Sequence, residues 1–186
     1  EKQLKVPRVI KAEEKHQEKQ QGQIREQRIK EIQDSAPIRN HYKVPYRGKL
    51  KEFPVYQIPL DALIYNKYNG RILSETKAME SLGSKILAHT KEGKRIIEKL
   101  LWDSRIDANQ KTQESLKKLG QEKIAVISKD GVVIDGNRRT MLLNRLPEYS
   151  HLEAVILPLS SYDDSLEIEN IETQIQMGGD KAIDYD

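Results

Sequence analysis

Six consecutive residues, Asp135-Gly136-Asn137-Arg138-Arg139-Thr140, bring together the groups that proteins use to hold phosphate. They follow the β-branched run Val132-Val133-Ile134 and precede Met141-Leu142-Leu143, so a strand hands over to a helix here. A helix start presents unbonded N–H groups and the positive end of a dipole. Gly136 allows a sharp turn and close approach of the backbone to a ligand. Arg138 and Arg139 add two forked cations that stay charged at any working pH. A polyphosphate or a DNA phosphate is the ligand such a turn would take. The same residues admit a plainer reading, in which Asp135 or Asn137 caps a surface helix and the arginines pair with the acidic C-terminal segment. Asp135 could also accept a ribose hydroxyl or hold a magnesium-bound water.

Other chemistry-bearing residues are fewer. Glu169 and Glu172 are the candidate catalytic carboxylates, as general base or beside magnesium, if the last helix packs near the turn. Asp163, Asp164 and Glu167 make that whole segment acidic, so solvated helix charge is the simpler account. His16, His41, His89 and His151 are scattered, with no helical pair at metal-ligand spacing. The chain has no cysteine, which excludes disulfides, thiolate metal sites and cysteine nucleophiles.

The elements that must position the turn follow from the apolar pattern. Lys123–Ile127 and Val132–Asp135 form a β-hairpin around Asp130-Gly131, and 138–146 form a short helix packed on it. Phe53–Leu63 reads as a strand followed by a turn, and 64–72 as a turn-rich loop. Ser74 is placed to cap a helix starting near 75. Met79, Leu82, Ile86 and Leu87, then Ile96, Ile97, Leu100 and Leu101, predict two helices parted near 91–93. Residues 109–120 form a further helix with Gly120 past its end. Trp102 reads as a core anchor. Residues 153–159 are another strand, and 161–177 a last helix stopped by Gly178-Gly179. Mixed strands and helices with an antiparallel pair make the class α+β: a small mixed β-sheet with surrounding helices. Upstream, 1–35 read as a charged helical extension, broken or weakened at Gly22 and outside the core. Residues 36–51, with two prolines and a glycine, read as a linker, and the compact domain spans 52–186.

The order of these pieces resembles the ParB N-terminal domain and its sulfiredoxin-like relatives. Gly136-Asn137-Arg138-Arg139 is similar to the Gly-x-x-Arg turn of that superfamily in its ParB form, with Asn137 in the Glu place and Arg139 as the motif arginine. Leu116–Gly131 resembles the preceding helix, glycine, strand and hairpin turn. Asn66, Tyr68 and Arg71 match the upstream Asn-Pro-Tyr-Gln-Pro-Arg box. Asn69 stands in the Gln place, while Lys67 and Gly70 replace its prolines. Glu172 and Gln176 fall on the family's acidic helix. The resemblance covers about 53–186. It implies a nucleoside triphosphate, CTP or ATP with Mg2+, held on the turn, in a bacterial DNA-associated protein. A phosphotransferase or nuclease of the same fold is the alternative, and a protein-interaction module without ligand is another. Sulfiredoxin chemistry is excluded, because its cysteine place holds Asn137. No helix-turn-helix follows in these residues, so sequence-specific DNA reading is not expected from them.

Bulk properties fit this picture. The chain of 186 residues is 33% charged and 37% hydrophobic, with no apolar run of membrane-span length and no secretory pattern, so the cytoplasm is the expected compartment. The first residue is Glu1, as in a processed product or a piece of a longer chain. Charge is polarised: 1–51 carry 14 Lys/Arg against 7 Asp/Glu, and 163–186 carry one Lys against eight Asp/Glu. The basic front could face DNA phosphates, or its helix could serve a homodimer or another protein partner.

Overall fold

A five-stranded sheet forms because its strands alternate apolar residues toward two separate cores. The computed structural model describes residues 2–183, with side chains described for 12–178. The elements run α1 (Lys2–Gln33), β1 (Arg39–Tyr46), β2 (Lys49–Pro59), a 3-10 turn (Leu60–Ala62), α2 (Leu73–Ser81), α3 (Lys91–Ser104), α4 (Ile106–Leu119), β3 (Ala125–Ser128), β4 (Val133–Asp135), α5 (Asn137–Asn144), β5 (His151–Leu157) and α6 (Ser165–Ile183). The class is α+β. The sheet order is β1-β2-β5-β3-β4, with β3 and β5 parallel and the other pairs antiparallel. No described helix is long and apolar enough to cross a membrane.

Period-two alternation sorts the residues by face. Leu152, Ala154 and Ile156 of β5, with Ala125 and Ile127 of β3, join Ile97, Leu101, Leu116 and Met141 of the helices in one core. Val155 and Leu157, with Val126, Ile134, Val44 and Phe53, meet Ile168 and Ile171 of α6 in the other. Helices therefore cover both faces of the central strands. This is why β3 is buried at every position, although the hairpin it belongs to is antiparallel.

The expected hairpin and following helix are present, with Gly131 at φ +82° in the turn and Gly120 at φ +74° closing α4. Several expectations change. Gly22 does not break α1; it is buried where the helix crosses the hairpin turn, because a Cβ there would lie 3.2 Å from Tyr162 Cδ1 and 3.3 Å from Asp130 Oδ2. Residues 1–35 are not wholly outside the core, since Ile29 is fully buried in it. Arg25 Nε donates to the Asp130 carbonyl at 2.7 Å, and Tyr162 Oη donates to Glu26 at 2.5 Å. Residues 36–51 are not a linker but β1 and the start of β2, so the boundary expected at 52 falls inside a strand. The prolines mislead because Pro37 precedes β1 and Pro45 lies in an edge strand, which has a neighbour on one side only. Ser74 lies inside α2 and caps nothing, while the break between α2 and α3 occupies 82–90, with Thr90 accepting from Gly93 N as the true cap. Gly178-Gly179 do not stop α6, which runs to Ile183.

Candidate functional site

The β4–α5 turn lies where the loop 66–72, the start of α4 and the inner face of α6 converge. Gly136 is the N-cap of α5 at φ +108°, and neither Asp135 nor Asn137 caps the helix with its side chain. A Cβ on Gly136 would stand 2.9 Å from Ala125 Cβ, so only glycine fits, and any larger residue here strains the fold as well as the turn. Thr140 N donates to the Gly136 carbonyl at 2.8 Å. The N–H groups of Asn137, Arg138 and Arg139 meet no protein acceptor among the described residues.

The two arginines have different fates, and neither pairs with α6 among the described residues. Arg138 reaches α4: its Nε donates to Asn109 Oδ1 at 2.5 Å, and Nη2 donates to the Ala108 carbonyl at 2.9 Å and to Thr112 Oγ1 at 2.7 Å. Asn109 is fully buried and passes the link on, donating to the carbonyls of Leu101 and Trp102 at the end of α3. Arg138 therefore bolts three helices together. Burial, then the charges of Arg71, Arg105 and Arg139, push its pKa down to about 10. Arg139 is half-buried beside the turn, with Nη1 about 3.7 Å from the position of a Gly136 Cβ. It forms no hydrogen bond or ion pair among the described residues. Burial lowers its pKa; Asp135 and Tyr42 oppose this, and Arg71 adds to it. Arg105, at the junction of α3 and α4, is a member of this arginine cluster that sequence reasoning missed.

Asn66, Asn69, Arg71, Glu172 and Gln176 lie around the turn, and most are engaged in structure. Asn137 is buried, donates to the Val133 carbonyl at 3.0 Å and accepts from Asn66 N at 2.9 Å, so it ties the loop to β4. Asn66 Oδ1 accepts from Tyr68 N, while Asn69 donates to the Asn66 carbonyl and accepts from Arg71 N. Thr140 spends its hydroxyl on the Gly136 carbonyl at 2.8 Å.

The carboxylates divide likewise. Glu169 is exposed, as solvated helix charge should be. Glu172 is not: it is buried and accepts from Gly70 N at 2.9 Å and from Gln176 Nε2 at 3.1 Å. Burial raises its pKa against the Gly70 hydrogen bond, and Asp135 and Glu169 raise it further. A Cβ on Gly70 would meet Gln176 Oε1 at 3.0 Å, so the glycine in the expected proline place lets α6 close on the loop. Burial raises the pKa of Asp135, with Arg139, Lys123 and Arg71 opposing it. Among the described residues no three His, Asp or Glu side chains converge as a metal-holding group. Comparison with family models, curated proteins and solved structures finds no match to this chain.

Proposed function

We propose that the β4–α5 turn binds the phosphates of a nucleoside triphosphate, CTP or ATP with Mg2+, as the likeness to ParB N-terminal domains implies. The observation that carries the reading is Arg139. A half-buried guanidinium held by no protein acceptor among the described residues stands beside a helix start whose first three N–H groups are also open. Desolvating a guanidinium that no acceptor hydrogen-bonds costs free energy, which the charge of Asp135 offsets only in part, and an anion entering the turn would offset more of it. Positive charge from Arg71, Arg105 and Arg138 nearby favours a ligand with several negative charges over a single carboxylate. The half-burial suits a small polyphosphate, which can enter the recess, better than a duplex backbone, which lies across a surface. Magnesium enters this reading on the phosphates of the nucleotide. Asp135 is the nearby carboxylate not consumed by a hydrogen bond, while Glu172 is committed to Gly70. The arrangement favours a binding switch ahead of a phosphotransferase or nuclease, since Glu172 is committed to Gly70 and Gln176 and the unbonded Asp135 stands against the charge of Arg139.

The test is a thermal-shift series with the four ribonucleoside triphosphates and magnesium. A ligand at 100 times its dissociation constant adds about 2.7 kcal/mol. Arg139→Met removes the charge but keeps the apolar stem, and it should weaken binding by about 1.5–3 kcal/mol, roughly ten- to a hundredfold. No shift with any nucleotide would overturn the reading and leave the interaction-module alternative.

A further inference from the structure

The two helices that brace the start of α5 are joined by a single residue. α3 ends at Ser104 and α4 begins at Ile106, so Arg105 alone makes the corner, at φ −157° and ψ 76°. The corner is fixed in place. The Arg105 carbonyl accepts from Asn109 N at 2.9 Å, and the Asn109 side chain donates across the corner to the Leu101 and Trp102 carbonyls at 3.1 and 2.8 Å. Arg138 clamps the same turn of α4 through Ala108, Asn109 and Thr112. Arg105 is thereby held beside the first turn of α5, and its charge helps to lower the pKa of Arg138. Its side chain is exposed and forms no ion pair among the described residues, although Asp103 and Asp107 stand two residues to either side.

We infer that Arg105 takes the far phosphate of a triphosphate chain whose near phosphate sits on the β4–α5 turn, and so makes the site selective for chain length; the inference rests on the phosphate reading given above. The turn by itself supplies one cradle, the open N–H groups of 137–139 with Arg139, which serves one anionic group. The half-exposed Arg138 lies between that cradle and Arg105, with Nε and Nη2 spent on α4. Beyond it Arg105 offers a full planar fork, which matches a phosphate better than a point charge does. A short chain would be satisfied at the turn and leave Arg105 in water. The charges of Arg71, Arg105 and Arg139 all oppose that of Arg138, and three phosphates relieve more of this repulsion than two. Arg105 falls between 66–71 and 116–139, the stretches whose motifs carry the likeness to ParB domains, so the likeness assigns it no role.

The experiment is calorimetric titration of the full chain with inorganic pyrophosphate and with tripolyphosphate, each with equimolar magnesium. The expected result is tripolyphosphate binding at least about tenfold tighter, equivalent to about 1.4 kcal/mol. Arg105→Gln should bring tripolyphosphate down to the pyrophosphate level, leave pyrophosphate unchanged and keep the melting temperature, since an exposed side chain is cut. Lys30→Gln, which removes one exposed charge from α1, should change neither affinity. Equal affinities in the wild type, or no effect of Arg105→Gln, would overturn the assignment while the phosphate turn stands. An equal fall for both probes in Arg105→Gln, or the same fall in Lys30→Gln, would also overturn it, as an effect of net charge. Binding of neither probe would overturn this inference alone where a nucleoside triphosphate still raises the melting temperature, and the phosphate reading with it where none does.

Discussion

Arg138→Met and Arg139→Met are the same chemical change at adjacent residues, and the structure gives them unequal consequences. Each keeps the aliphatic stem and removes the guanidinium. At 138 the change deletes three hydrogen bonds to α4 and leaves the buried Asn109 Oδ1 without a donor. An orphaned buried acceptor alone costs about 1–3 kcal/mol. Bonds from a charged donor add to this, but Arg138 is half exposed, and removing it relieves repulsion with Arg71, Arg105 and Arg139. A net loss of about 2–3 kcal/mol follows, without change in the denaturant slope. For a chain of this size that lowers the melting temperature by roughly 5–10 °C. At 139 no hydrogen bond is lost; removing the cation relieves its desolvation but takes the main opposing charge from Asp135, so stability should fall by less than about 1 kcal/mol. Thermal and urea denaturation of both variants without ligand measures the contrast. Equal destabilisation by the two variants would show that Arg139 has a structural partner in solution, and the argument for an anion held by Arg139 would fail.

Two further expectations concern the carboxylate and the basic front. Glu172 has a raised folded pKa, so its favourable contribution is complete below the unfolded value of about 4.3 and is lost as pH rises through the folded value. Glu172→Gln, which can still accept from Gly70 N, should therefore be more stable than the wild type at pH 8 and show no advantage at pH 4; a melting temperature at pH 8 below the wild type would contradict the cause assigned to the shift. Of the basic front, Arg39, Lys43, Arg47, Lys49 and Lys51 carry five positive charges with no acidic residue between them, while 1–35 hold nine basic against seven acidic residues. If this front meets DNA phosphates through the β1–β2 tip, where Arg47 is already paired with Glu167, Lys49→Glu with Lys51→Glu should flatten the salt dependence of duplex binding by about 0.9 in log–log slope for each phosphate no longer neutralised; an unchanged slope would remove the tip from any DNA interface.

The parts of the fold that were legible in the sequence are those where a local rule and the tertiary environment agree. The Asp130-Gly131 turn between β-branched runs names its own hairpin, and Gly120 names the end of α4. The parts that misled are those where tertiary packing overrides a local signal. Gly22 looks like a helix breaker, yet it is the notch through which α1 passes over Tyr162 and Asp130. Side chains of 1–11 in the basic front and of 179–186 in the acidic tail lie outside the described residues, so the charge pattern that suggested partners is only partly placed. Pro45 and Gly48 look like linker residues, yet an edge strand and its tight turn accept both. No window of sequence could show that Tyr42 would come to stand beside Asp135, because that proximity depends on α6 closing over β1.

The site follows the same division at the level of single side chains. Residue types and their order marked the turn, and the resemblance alone set Asn66, Asn69, Arg71, Glu172 and Gln176 beside it, but neither could say which of these groups remain available. Availability is decided by hydrogen-bond competition. Asn137, Thr140, Asn66, Asn69 and Glu172 all have the chemistry to touch a ligand, and all satisfy backbone or side-chain partners inside the fold instead. Arg138 and Arg139 are chemically identical and adjacent, yet the helical step of about 100° between them sends one toward Asn109 and the other toward Gly136. A pair of arginines at a strand-to-helix handover is therefore two devices. The first fixes α5 against α4 so that the turn keeps its shape, and the second can then face the turn without a structural duty of its own.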